Sequence, residues 1–347
     1  MLAKFTSIKI MWLLVFLIIP LVGCQVFETD PVPVSTPGNT FGTQTQTPTL
    51  SPSKTAVPSQ TLTATPTEAG TATPAPSATP TLTREPGATQ ISPGDGMVLV
   101  YIPAGSFLMG SIDAENGADI DEMPQHLVTL DAYWMDQTVV TNAMYARFLN
   151  EMGNQIEERS PWLDAGDENV LIYQQDGIWQ PSKGYEDHPT IEVTWFGARA
   201  YCQWAGRRLP NEAEWEKAAR GPLSDSEDGR IYPWGDEIDC DKAQYANCGG
   251  GLLPVSSKPA GASPYGVLGL SGNTWEWVFD WYAEDYYTTS RAENPLGPDD
   301  GETRVLRGGS WEYDWKHLRA ANRRHNGPSV SMHDYSFRCV LDAEQDG

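Results

Sequence analysis

The sequence predicts an irregular α+β domain with little regular structure, preceded by a long segment unable to build a core. Helical periodicity with capping residues occurs only in short stretches between residues 141 and 221. The β-prone apolar runs are three to six residues long, and after Gly221 the chain is broken by Gly and Pro with no helical period. Of the 13 Trp in the 347 residues, all but Trp12 fall after residue 94, so residues 95–347 can bury a large core.

The charge has the same asymmetry. Residues before 94 carry four basic side chains (Lys4, Lys9, Lys54, Arg84) and four acidic ones (Glu28, Asp30, Glu68, Glu85), so the whole net charge of −23 sits in the later part. Such an acidic surface lacks the basic footprint that releases counterions from phosphates, which excludes nonspecific nucleic-acid binding. Cations, cationic peptides and neutral ligands remain open.

At the N-terminus Lys4 and Lys9 precede an apolar run, 10–22, of 13 residues. That is short of the roughly 18 needed to span a bilayer and reads as a signal-peptide core. Leu21-Val22-Gly23-Cys24 resembles the lipobox of bacterial lipoproteins, which implies cleavage after residue 23, lipidation of Cys24 and an extracytoplasmic, membrane-anchored product. Residues 24–94 then read as a linker: 31–90 hold 17 Thr, 11 Pro and five Ser with Phe41 as the only aromatic. It cannot repay the entropy of folding, and at up to ~3.1 Å per residue it reaches on the order of 100 Å from a membrane. Its Thr and Ser density also allows O-glycosylation.

In the domain, Met97–Ile102 and Ser106–Gly110 flank Pro103-Ala104-Gly105 and predict a hairpin. Leu127–Leu130 and Tyr133–Met135 predict two further strands. Thr141 caps a helix presenting Met144, Tyr145, Phe148, Leu149 and Met152. A second helix starts at Thr194, presents Phe196, Ala200, Tyr201 and Trp204, and stops at Gly206. Asn211 with Glu214 forms a capping-box pattern for a third, closed by Gly221.

Six blocks then carry a family resemblance: Val98–Gly110, His188-Pro189, Ala200–Glu216 (AYCQWAGRRLPNEAEWE), Gly272–Trp277 (GNTWEW), Arg307–Trp311 (RGGSW) and Phe337-Arg338-Cys339. Their order and spacing resemble the sulfatase-modifying factor family, founded on the formylglycine-generating enzyme, over nearly all of residues 96–341. The resemblance implies a C-type-lectin-like fold and a pocket containing Ser310 and Trp275.

Setting Cys24 aside, Cys202, Cys240, Cys248 and Cys339 form an even set in an exported chain, and four cysteines allow three pairings. The resemblance implies Cys202–Cys339, leaving Cys240–Cys248 as a local bridge. The formylglycine-generating enzyme holds copper on two thiolates between its Gly-Gly-Ser block and its Arg-rich segment. Here residues 311–319 contain no Cys, and Tyr313 and Trp315 stand nearest the two thiolate positions. Copper-dependent formylglycine formation is therefore not expected. Other branches use iron held by His, which makes His317, His325 and His333 the alternative metal candidates.

The resemblance also implies calcium at Gly272, Thr274 and Glu276, although Gly269 replaces the usual Asn or Asp ligand, and at Asn247 with the Cys248 carbonyl, although Gly249–Gly251 follow without an Asp. The acidic runs 119–122 and 299–302 match no EF-hand and read as solvated loops.

Residues 304–338 invert the domain's charge, with seven cations (Arg304, Arg307, Lys316, Arg319, Arg323, Arg324, Arg338) against Glu312, Asp314 and Asp334. Two roles are open for them: a binding surface, or neutralisation of the domain's own carboxylates. Of these, Arg319 and Arg323 fall in a block that resembles the family framework. Interleaved aromatic and polar side chains give a candidate ligand set of Trp311, Tyr313, Trp315, His317, Arg324, His325, His333 and Tyr335. The stretch also resembles the variable region of retroelement-diversified proteins with this fold, in which positions 312–317, 324–325 and 329–335 would contact ligand. The expected activity is binding of an extracytoplasmic protein, peptide or glycan; the rival is an oxidoreductase of the family.

Overall fold

The computed structural model describes residues 84–112, 117–223 and 230–343. The signal peptide, Cys24 and nearly all of the linker lie outside them. In chain order the elements are β1 (Thr89–Ile91), β2 (Val98–Ile102), β3 (Gly105–Met109), β4 (His126–Leu130), β5 (Tyr133–Asp136), α1 (Asn142–Met152), β6 (Ile156–Glu157), β7 (Ser160–Pro161), β8 (Ile172–Gln175) and β9 (Ile178–Pro181). They continue with α2 (Trp195–Trp204), α3 (Glu212–Arg220), β10 (Trp275–Trp281), β11 (Arg304–Arg307), β12 (Arg323–Asn326), β13 (Tyr335–Phe337) and β14 (Val340–Asp342). Among the described residues no helix is long and apolar enough to cross a membrane.

The three helices start where their caps predict. Thr141 accepts from the Met144 amide and Thr194 from that of Gly197. Asn211 and Glu214 close both halves of the capping box at 2.8 and 2.9 Å. Asn211→Ala is expected to cost about 1 kcal/mol, read as a lower midpoint in urea unfolding.

The expected hairpin at 97–110 does not form. Strand β2 pairs with β1 and β5, whereas β3 pairs with β4. The connection between them is held instead by Lys217 of α3, whose Nζ donates to the Pro103 and Gly105 carbonyls at 2.7 and 2.9 Å. Folded structure also begins before residue 95: β1 lies in the compositional linker and completes the sheet β1-β2-β5-β14. The run 119–122 is only half solvated: a short 3-10 turn buries Asp121 and Glu122 while Asp119 and Ile120 stay exposed.

The second sheet, ordered β12-β11-β10-β13, divides two cores. Its registers align Arg324 with Leu306, Leu306 with Trp277, and Trp277 with Phe337. Side chains alternate along a strand, so this row and its i±2 neighbours Trp275 and Tyr335 share one face. That face packs with α1 and α2 through Tyr145, Phe148, Trp195 and Tyr201. Val278 and Val305, on the other face, pack with Trp215 and Ala218 of α3.

Both implied disulfides are present, Cys202–Cys339 and Cys240–Cys248.

Candidate functional site

The α3 side of the second sheet consumes most of the basic segment. Arg307 bonds Glu216 at 2.5 Å and Glu212 at 3.2 Å, and Arg323 bonds the two Glu212 oxygens at 2.8 and 3.0 Å. Arg338 is bidentate to Glu276 at 2.6 and 2.7 Å. Nearby, Arg319 is bidentate to Glu122, both bonds 2.6 Å. Burial alone would raise Glu212 and Glu122, but the guanidinium groups hold both carboxyls below the usual range. Arg304 lies between the rings of Trp195 and Trp281, 3.9 and 3.4 Å from their centroids, and burial pushes it down to about 10. The positive segment is thus largely an internal counter-ion set, and only Lys316 and Arg324 of its cations escape burial.

On the opposite face the structure brings together part of the predicted ligand set. Trp275 meets Tyr313 and His317 edge-on at 5.5 and 6.1 Å, and Tyr313 meets His317 at 5.1 Å. The Arg324 guanidinium stands 5.4, 4.9 and 6.0 Å from the Trp275, Tyr313 and Tyr335 rings, and its Nε donates to the Tyr335 hydroxyl at 3.1 Å. Trp311 and His333 sit beside this group, 6.0 Å apart, with His333 Nε2 3.0 Å from Glu312. Ser310 donates to Asp334 at 2.8 Å.

Two predicted residues lie elsewhere. His325 alternates to the other face of β12 and stacks on Tyr282 at 3.8 Å. Trp315 packs in a small separate core with Ile231, Trp234 and Leu318. The three candidate iron ligands do not converge: among the described residues, the set of three or more His, Cys, Asp or Glu ligand atoms within 4.8 Å is Asp119, Asp121 and Glu122.

Among the described residues no thiolate is left to hold copper, because Cys202, Cys240, Cys248 and Cys339 are all disulfide-bonded. Nor do the residues present fit the expected calcium site. Both Glu276 oxygens are engaged, Oε2 by Trp215 Nε1 at 2.8 Å and by Arg338, and Oε1 by Arg338. A carboxylate neutralised this way has no net charge left for a cation. Asn247 is exposed on a 3-10 turn, and Cys248 beside it is bridged to Cys240. Cavities of about 570 and 400 Å³ lie elsewhere, around Arg208 and Glu214 and around Tyr286 and Pro298.

Sequence reasoning missed Glu192, buried beside the site in a left-handed conformation, φ 56°. Burial, then repulsion from Asp167, pushes its carboxyl up to about 7 from an ordinary 4.5. Burial would lower His333, but the Glu312 hydrogen bond and Asp334 raise it. A folded pKa above the unfolded one contributes stability at low pH that is lost as pH rises. For Glu192 that loss spans pH 4.5 to about 7. Thermal midpoints of the wild type and Glu192→Gln across this range are expected to diverge, with the variant declining less.

With this geometry in place, comparison with known proteins gives the family. The sulfatase-modifying factor enzyme 1-like domain matches residues 84–343. The chain belongs to this family. Its sulfatase-modifying factor domain is 34% identical over 291 residues to the formylglycine-generating enzyme of Bos taurus, covering 72% of this chain and 76% of that one. It is 32% identical over 294 residues to the inactive Cα-formylglycine-generating enzyme 2 of Mus musculus, covering 73% and 89%. A match at 39% identity over 248 residues to the serine/threonine-protein kinase Pkn1 of Chlamydia trachomatis covers 71% of this chain but spans only 38% of the kinase. Among solved structures, PvdO from Pseudomonas aeruginosa superposes with a TM-score of 0.60 at 25% identity, over 75% of this chain and all of that one. The fold is the C-type-lectin-like α+β fold expected for the sulfatase-modifying factor family.

Proposed function

We propose that this protein is a lipid-anchored, extracytoplasmic binding protein in which the sulfatase-modifying factor domain holds a protein, peptide or glycan ligand at Tyr313, His317 and Arg324, over the buried rings of Trp275 and Tyr335, and does not oxidise cysteine. The observation that carries this reading is the loss of thiolate chemistry. The cysteines of the domain are consumed in bridges, and Tyr313 at one copper position is built into the aromatic face instead. Aromatic rings around a half-buried guanidinium are a recurrent composition of binding hot spots. The inactive relative shows that the family contains members without the founding activity.

The test is incubation of the purified full chain with Cu(I), oxygen and a Cys-x-Pro-x-Arg peptide, read by mass spectrometry. No aldehyde is expected; stoichiometric conversion to formylglycine would overturn the reading. Anchoring is tested separately by palmitate labelling in a bacterial host, which Cys24→Ala is expected to abolish.

A further inference from the structure

On the aromatic face of the second sheet the Arg324 guanidinium keeps two terminal nitrogens without an acceptor among the described residues, and we propose that it anchors a carboxylate group of the ligand, presented beside the Tyr313 ring. This deepens the binding reading above and rests on it.

The contrast with the neighbouring arginines follows from the two-residue period of a strand. Arg323 and Arg324 are adjacent in β12 and therefore face opposite sides. Arg323 meets Glu212, and its neighbours on that side meet Glu216 and Glu276. Arg324 meets no carboxylate among the described residues. Its Nε is used by Tyr335, while its two terminal nitrogens make no hydrogen bond to a described residue. Asp334 supplies a countercharge within electrostatic range, but its Oδ2 accepts from Ser310 and it makes no ion pair with the guanidinium. In a chain of net charge −23, a half-buried guanidinium with no carboxylate bonded to it stands out from the pattern of its neighbours.

A second observation lies beneath the guanidinium. Trp275 is 0% exposed, and its indole N–H has no acceptor among the described residues. With the guanidinium 5.4 Å from its ring centroid, the indole senses what binds at Arg324 without itself being reached by a ligand.

The guanidinium fork takes carboxylate, phosphate or sulfate in bidentate geometry, and charge decides between them. Asp334 beside Arg324 repels a dianion such as inorganic sulfate more than a monoanionic carboxylate, whose flat body can lie along the half-buried Tyr313 ring.

The test uses the full-length chain and the side-chain indole NMR signal of Trp275, titrated with benzoate, its neutral and cationic analogues benzamide and benzylamine, and inorganic sulfate. Benzoate is expected to give a saturable shift, and the other three to bind at least about tenfold more weakly. Arg324→Gln and Arg324→Lys are each expected to weaken benzoate by about tenfold or more, Lys because it lacks the fork. Circular dichroism should be unchanged, with at most a modest fall in thermal midpoint from the lost Tyr335 bond and ring contacts, and exposed Lys316→Gln should leave the affinity intact. Benzoate affinity retained in Arg324→Gln, sulfate or benzylamine binding as tightly as benzoate, or no saturable shift with benzoate would each overturn the proposal. Formylglycine formation would instead refute the binding reading beneath it, so the two failures are distinguishable.

Discussion

Glu276→Gln is expected to destabilise the folded domain by about 3–5 kcal/mol, one of the two largest effects anticipated here. The reason is Arg338, which is fully buried and takes both Glu276 oxygens at 2.6 and 2.7 Å. The Asp136 and Leu268 carbonyls satisfy other N–H groups of Arg338, but they supply no countercharge. Gln preserves the side-chain volume and one acceptor, so the loss reports the uncompensated guanidinium rather than a cavity. The double variant Glu276→Leu with Arg338→Met is expected to recover much of the loss, because a matched apolar pair does not pay for burying charge. The same measurement bears on calcium. With Glu276 serving as counter-ion, chelator should leave the wild-type thermal midpoint unchanged. A loss below about 1 kcal/mol on Glu276→Gln, or a calcium-dependent midpoint that the variant lacks, would refute this role for the carboxylate.

What could be read from the sequence divides by the range of the interactions involved. The helices were legible because a cap is decided within three residues: Thr141, Thr194 and Asn211 each bond an amide three positions on. The hairpin at 97–110 was misread because the deciding partner, Lys217, is more than 100 residues away in sequence. The basic segment shows the same limit. Seven cations in 304–338 sum to a positive stretch, but strand alternation sends Arg307 and Arg323 to the glutamates of α3 and leaves Arg324 on the aromatic side, while Arg338 pairs with Glu276 of β10. Composition cannot report which side of a sheet a charge faces. Of the residues expected to bind ligand, the structure groups Tyr313, His317, Arg324 and Tyr335, while strand alternation turns His325 away and Trp315 packs into a separate small core.

Removing the Cys202–Cys339 bridge is expected to cost about 5 kcal/mol, against about 2.5 kcal/mol for Cys240–Cys248, when each pair is replaced by Ala. The difference comes from the unfolded chain, where the sequence separations of 137 and 8 residues set how much conformational freedom each bridge removes. The long bridge also ties α2 to the segment between β13 and β14, where both cysteines are fully buried, so Ala there adds a packing loss. Denaturant unfolding of the two double variants separates the contributions, and equal losses would refute the chain-entropy account. A penalty of this size is comparable to the whole stability of many domains. The wild-type chain is therefore expected to fold when exported to an oxidising compartment and to lose most of its folded fraction when expressed in a reducing cytosol. A fully folded, reduced domain from the cytosol would show that the bridge contributes far less than its loop length implies.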